Sequence, residues 1–253
     1  MSRLGRVRGE FVAASRSFLR RRTAVFFTFV FPFLIVLIFG VLVQAQAAGG
    51  LFAEPAGWYV PGYLAVVVLF TPLSRVGSEV ARHREGNRFE KLATTPLSRV
   101  EWLLAGTLVN VAVIGAAGLL LLGLLVGLTG VSLPLSPTLA LLVPFVVLGV
   151  ALFCGVGALL GALADSQDGV IAASNTVALP LLFLSETFVP RSLLPAWLPT
   201  ELSPLTYFSR GVRAVTYAGD GTGVGDPATM LAVLAVLAVL ALAVGARALP
   251  TTD

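Results

Sequence analysis

The chain has one cysteine, Cys154, one histidine, His83, and one lysine, Lys91, and only 12% of its 253 residues are charged. Each scarcity excludes something. A single thiol forms no intrachain disulfide, and inside an apolar run it reads as a small buried hydrophobe. One His and one Cys far apart in the chain make neither a metal site nor a Cys/His nucleophile pair. With one lysine and no GxxxxGK[ST] run, the chain carries no P-loop for nucleotide phosphates. Water-soluble domains carry about 25% charged residues, so this surface is too apolar for water.

What is abundant is hydrocarbon. The composition is 57% hydrophobic and the mean hydropathy is +0.94. Apolar runs near the length of one helical span recur along the chain. A transmembrane barrel would show short alternating segments instead. The expected fold is an all-α polytopic membrane protein with six spans, at about 24–43, 58–74, 102–128, 139–164, 169–189 and 227–245. Residues 1–253 form one transmembrane domain in this reading.

Arginine divides unevenly among the connections. Arg3, Arg6, Arg8, Arg16, Arg20, Arg21 and Arg22 precede the first span, and Arg75, Arg82, Arg84, Arg88, Lys91 and Arg99 separate the second from the third. The positive-inside rule places the N-terminus, the 75–101 segment and the C-terminal tail in the cytoplasm of a cell-membrane protein. Arg191, Arg210 and Arg213 then fall outside, against the trend. Within 1–23, Leu4, Val7, Phe11 and Phe18 share a helical face among arginines, the pattern of a helix lying in the headgroup layer. The rival is a signal peptide cleaved after Ala45-Gln46-Ala47, but the apolar run exceeds the 7–15 residues of such a segment.

The 75–101 segment suits a short helix over 78–92, with Glu79–Arg82 and Glu85–Arg88 spaced to pair across one turn. Pro96 disfavours helix at Thr95. A new helix then starts with Thr95 as cap and Pro96 at its first position, or with Ser98 as cap and Glu101 reaching back. Mixed acids and bases with Phe89 and Leu92 among them suit contact with a protein surface better than simple attraction to anionic lipid.

After 189 the prolines Pro190, Pro195, Pro199 and Pro204 prevent a continuous helix, while Leu193, Leu194, Trp197 and Leu198 keep the stretch apolar. A re-entrant segment over 190–209 fits, provided protein or a wet cavity surrounds it. Glu186, at the outer end of span five, serves substrate or gating, or else is interfacial or paired with Arg191. Asn175, deep in span five, lines a path or bonds a neighbouring helix. The pairs Gly123/Gly127 and Gly157/Gly161 have the spacing of close helix contacts.

Two stretches together resemble the type-2 ABC transporter permeases. "REGNRFEKLATTPLSRVEWLLAGTL" looks like that family's cytoplasmic coupling segment, and "FVPRSLLPAWLPTELSPLTYFSRGVRAV" resembles its outer motif. The resemblance implies a permease that is not itself an enzyme. It implies a separate nucleotide-binding ATPase subunit holding ATP and Mg, and a second permease copy, identical or paralogous. It also leans toward export. By position, Glu85, Gly86, Arg88, Phe89, Glu90, Lys91, Leu92, Thr95 and Pro96 would form the ATPase-coupling region. Asn175, Glu186, Pro190, Pro195, Trp197 and Pro204 would belong to the translocation path or outer gate. The chain departs from the family pattern at Glu186-Thr187, where a small residue usually follows the Ser.

No catalytic residue, metal, bound cofactor or nucleic-acid partner is expected of the chain itself. An ion-coupled secondary transporter is the alternative, but it would need acids near the midplane and paired halves, and the spans show neither. An intramembrane enzyme lacks its constellation of groups. A scaffold that transports nothing is the remaining class.

Overall fold

The computed structural model describes residues 2–43, 54–217 and 225–250. The expected cleavage point at Ala45-Gln46-Ala47 lies outside the described residues. The chain runs α1 (Arg3–Arg20), α2 (Arg22–Ile35), α3 (Val60–Glu85), α4 (Arg88–Ala93), α5 (Arg99–Thr129), α6 (Leu142–Leu163), α7 (Gln167–Phe183), α8 (Pro204–Thr216) and α9 (Pro227–Ala248). A wider π-helical stretch, Val36–Val43, prolongs α2. No strand occurs among the described residues.

Five helical stretches are long and apolar enough to cross a membrane: Arg22–Leu42, Ala56–Glu85, Arg99–Thr129, Pro137–Leu163 and Pro227–Ala248. The expected fifth span, 169–189, is cut short. Its helix α7 has 17 residues, which at 1.5 Å per residue is about 25 Å, less than the hydrocarbon thickness. It stops at Leu184, where the Ser185 hydroxyl donates to the Leu182 carbonyl at 3.2 Å and meets Thr187 Oγ1 at 2.5 Å. Local hydroxyl bonds of this kind compete with the helical ladder.

The second span is longer than expected. No proline separates Ser74 from Glu85, so α3 continues through the polar residues and the helix expected over 78–92 does not exist as one piece. The break falls at Gly86 and Asn87, the latter at φ 50°, a left-handed conformation that Asn tolerates. Only the short α4 follows. Neither of the expected one-turn pairs, Glu79–Arg82 or Glu85–Arg88, is an ion pair among the described residues.

Helix α3 is the axis of the molecule. Val60, Tyr63, Leu64, Ala65, Val67, Val68 and Leu69 are all buried, so this turn sequence faces protein on every side. Helix α6 lies against it through glycines: a Cβ on Gly157 would stand 2.5 Å from the Leu73 carbonyl oxygen, and one on Gly77 2.9 Å from the Gly157 oxygen. Gly155 and Gly245 bring α6 against α9 in the same way. Of the two small-residue pairs read from the sequence, Gly157/Gly161 is a contact. Gly123 and Gly127 have nothing near their missing Cβ atoms, because they face outward from α5.

Outside this core the bundle stays apolar. Leu119, Leu135, Val143 and Val239 are exposed, as expected of a surface solvated by lipid. Helix α1 packs along α5. Val7 and Phe11 are half-buried and Phe18 is buried, while Leu4 projects outward. The apolar face of α1 is therefore shared between the bundle and its surroundings.

Candidate functional site

Three features lie at different levels of the bundle. The first is the 85–96 segment. Phe89 is buried at the root of α4, its ring 5.5 Å from Trp102 and 5.5 Å from His83. His83 is itself 5.2 Å from Trp102, and its Nδ1 lies 2.8 Å from the Glu79 carbonyl oxygen. This aromatic trio joins the end of α3, the short α4 and the start of α5. Glu85, Gly86, Arg88, Glu90, Lys91, Thr95 and Pro96 are exposed around it, and Leu92 is half-buried. The segment is thus a polar surface mounted on one buried ring.

Its elbow is closed by hydroxyls. Thr94 and Thr95 donate to the Lys91 and Leu92 carbonyls at 2.8 and 2.7 Å. Of the two caps the sequence offers, Ser98 with Glu101 starts α5: the Glu101 amide donates to Ser98 Oγ at 3.2 Å and the Ser98 amide to Glu101 Oε2 at 2.9 Å. The Glu101 carboxylate is also clasped by Arg6 of α1, at 2.5 and 3.1 Å.

The segment is also fastened to the α6–α7 turn. Arg84 Nη1 donates to the Ala162 and Ala164 carbonyls at 2.9 and 2.8 Å, taking up unpaired oxygens at the α6 C-terminus. Glu85 accepts from the Gln167 amide and side chain at 3.3 and 3.2 Å. These contacts replace the expected Glu85–Arg88 pair. They span about 80 residues of chain, so no local spacing rule could have shown them.

The second feature is a groove of about 440 Å³ between α1–α2, α3 and α7. On its α3 wall, Thr71, Ser74, Arg75 and Ser78 recur at helical spacing and form one polar face. Phe27, Phe31 and Phe70 supply apolar wall, and Asn175 faces in from α7. The Arg75 guanidinium stacks on Phe18 at 4.1 Å, and its Nη1 is buried without a hydrogen-bond partner. Arg21 lines the same space, with Glu79 as the acid in its lining. Sequence reasoning found Asn175 and missed Arg75 and Phe18. The polar spacing on the second span was the available signal.

The third feature closes the opposite end. Glu186, 6% exposed, receives Arg210 Nε at 2.7 Å, Arg210 Nη2 at 2.5 Å and the Thr200 hydroxyl at 3.0 Å. The expected partner Arg191 stands farther off, at 4.0 Å. It donates instead toward the Leu198 carbonyl at 3.3 Å. Arg213 reaches the Glu186 carbonyl at 2.9 Å and the Trp58 carbonyl at 3.3 Å, and stacks on the Trp58 ring at 3.8 Å. The arginines that break the positive-inside trend are thus occupied by the outer segment itself.

Burial pushes Arg213 down to about 10, against the pull of Glu186, so it stays charged at neutral pH. Pro190 and Pro204 are half-buried here, while Pro195 and Trp197 are exposed, Trp197 at 80%. Asn175 is not part of this cluster. The residues expected to form one path or gate therefore divide between a groove on one side of the core and a fastening at the outer end.

Among the described residues no group of three or more His, Cys, Asp and Glu side chains is placed to hold a metal ion. No curated protein sequence matches the chain. The family model for the ABC-2 type transporter matches residues 11–217, which runs from the middle of α1 through α8. The match covers most of the chain, and the chain belongs to the ABC-2 type transporter family, as one of its membrane permeases.

Proposed function

We propose that the chain forms, with a second permease copy, the translocation path of an ATP-driven exporter, and that a separate ATPase subunit drives it by pushing on residues 85–96. The observation that carries this is the way Arg84 and Glu85 bind the base of that segment to the α6–α7 turn. A force on α4 passes into α3 through Phe89 and His83, and into α7 through Gln167. Those two helices border the polar groove, so closure of the ATPase would alter the groove's width. ATP and Mg belong to the partner, and the chain itself is not an enzyme.

In this reading α7 is the fifth of six spans, with residues 184–189 completing the crossing. The N-terminus, the 85–96 segment and the C-terminal tail are cytoplasmic, and α1 lies in the inner headgroup layer. The 190–209 stretch dips into the outer leaflet, a placement supported by the exposure of Leu193, Trp197 and Leu202 beside buried Thr200 and Leu205. Residues 1–253 act as one permease domain.

The test is affinity purification from native membranes with a C-terminal tag, wild type beside R88E/E90K. Both residues are exposed, and neither side chain enters a hydrogen bond or ion pair among the described residues. A P-loop ATPase retained by wild type and lost from the variant supports the docking surface. If no ATPase appears even after crosslinking, and flux persists on an ion gradient without ATP, the chain is a secondary transporter instead.

A further inference from the structure

At the end of the bundle that carries the 85–96 segment, α5 and α9 touch only sparsely and leave a groove of about 890 Å³. Leu103 and Leu104 of α5 face Val239, Leu242 and Ala243 of α9 across it. The charged side chains in its lining are Arg99 and Arg247, and no acid joins them. The acid closest in sequence, Glu101, is buried and held by Arg6 on the α1 side. Among the described residues, two guanidiniums thus stand over an apolar trough with no carboxylate to answer them.

We infer that this groove binds one anionic phospholipid, its phosphate between Arg99 and Arg247 and an acyl chain along the apolar trough. Arg99 is half-buried, and its Nη1 donates to the Leu249 carbonyl at 2.5 Å. That bond fixes the guanidinium at the mouth and leaves further N–H groups for a phosphate. The Ser98 hydroxyl, also in the lining, adds a donor. From Arg247 to Val239 the α9 wall runs roughly 12 Å, inward from headgroup depth. A free anion would have no use for that wall, and a zwitterionic headgroup would bring its own cation toward both arginines. A second copy packed face to face would set arginine against arginine, since a two-fold contact repeats the same patch. Basic pockets between spanning helices are suited to anionic headgroups for the same reason. This inference needs only the membrane-spanning placement and does not depend on the permease reading.

The purified chain in detergent is titrated with phosphatidylglycerol or phosphatidylcholine, and bound lipid is counted by native mass spectrometry. At roughly fivefold per arginine, the anionic lipid is preferred by about twenty-fivefold. R247Q, at an exposed side chain, lowers the preference about fivefold without disturbing the Leu249 contact, and R99Q/R247Q brings it near parity. R3Q/R8Q removes equal charge from the exposed face of α1 and leaves the preference intact. A243F/A246F fills the trough, keeps both arginines, and loses the lipid. The inference is overturned if R247Q and the double variant bind as wild type does. It is equally overturned if A243F/A246F retains the lipid, or if inorganic phosphate displaces it as well as phosphatidylglycerol does.

Discussion

Glu186 shows how one side chain organises an irregular segment. Its carboxylate gathers Arg210 and Thr200 while its carbonyl takes Arg213, so a stretch broken by prolines acquires fixed partners on α8. Removing one member of a buried ion pair leaves the other uncompensated. R210Q is expected to cost about 3 kcal/mol, read as a lowered melting temperature of the purified protein in detergent. E186Q keeps the shape and costs less. A melting temperature unchanged in R210Q would remove the Glu186 pair from the account. Its cost in burial and its nearness to a span end were legible in the sequence. Arg191 does reach it, at 4.0 Å, but the closer partner was not legible, because Arg210 comes from a helix 24 positions away.

Among the elements, the elbow between α4 and α5 was the most legible, since capping is local chemistry. Thr95-Pro96 ends one helix, and Ser98 with Glu101 starts the next. The end of α3 was not legible. Polar residues after Ser74 suggested an exit from the bundle, yet the helical ladder needs no apolar side chains and runs on to Glu85. Two variants separate attachment of α4 from transmission through it. F89A withdraws the buried ring, and amide exchange over 88–93 should quicken on the order of a hundredfold, the equivalent of about 3 kcal/mol. Unchanged exchange would mean that the hydroxyl-closed elbow holds α4 alone. R84Q strips the α6 carbonyls of their donor at about 2 kcal/mol. The ATPase should still co-purify with R84Q while ATP-driven transport falls, and transport at the wild-type rate would move the coupling route elsewhere.

At the scale of the whole molecule, α3, α6 and α9 form a unit held by backbone contact at glycine, and the remaining helices are arranged around it. G157L would place a side chain against the Leu73 carbonyl, at about 3 kcal/mol or enough to prevent assembly. G123L, on an open face, should stay within about 0.5 kcal/mol in the isolated chain. A mirror outcome for the two in thermal unfolding would displace the core from α3–α6. The all-helical membrane class was legible from composition, but the number of spans was less so, because hydropathy alone does not record where α7 stops. The clasp between Arg6 and Glu101 joins residues 95 positions apart. During synthesis at about 5–20 residues per second, α1 leaves the ribosome some 5–20 s before its acceptor exists. If α1 lies in the headgroup layer as proposed, its arginines and apolar stripe hold it there unaided through that interval, and the amphipathic pattern serves the nascent chain before it serves the finished one.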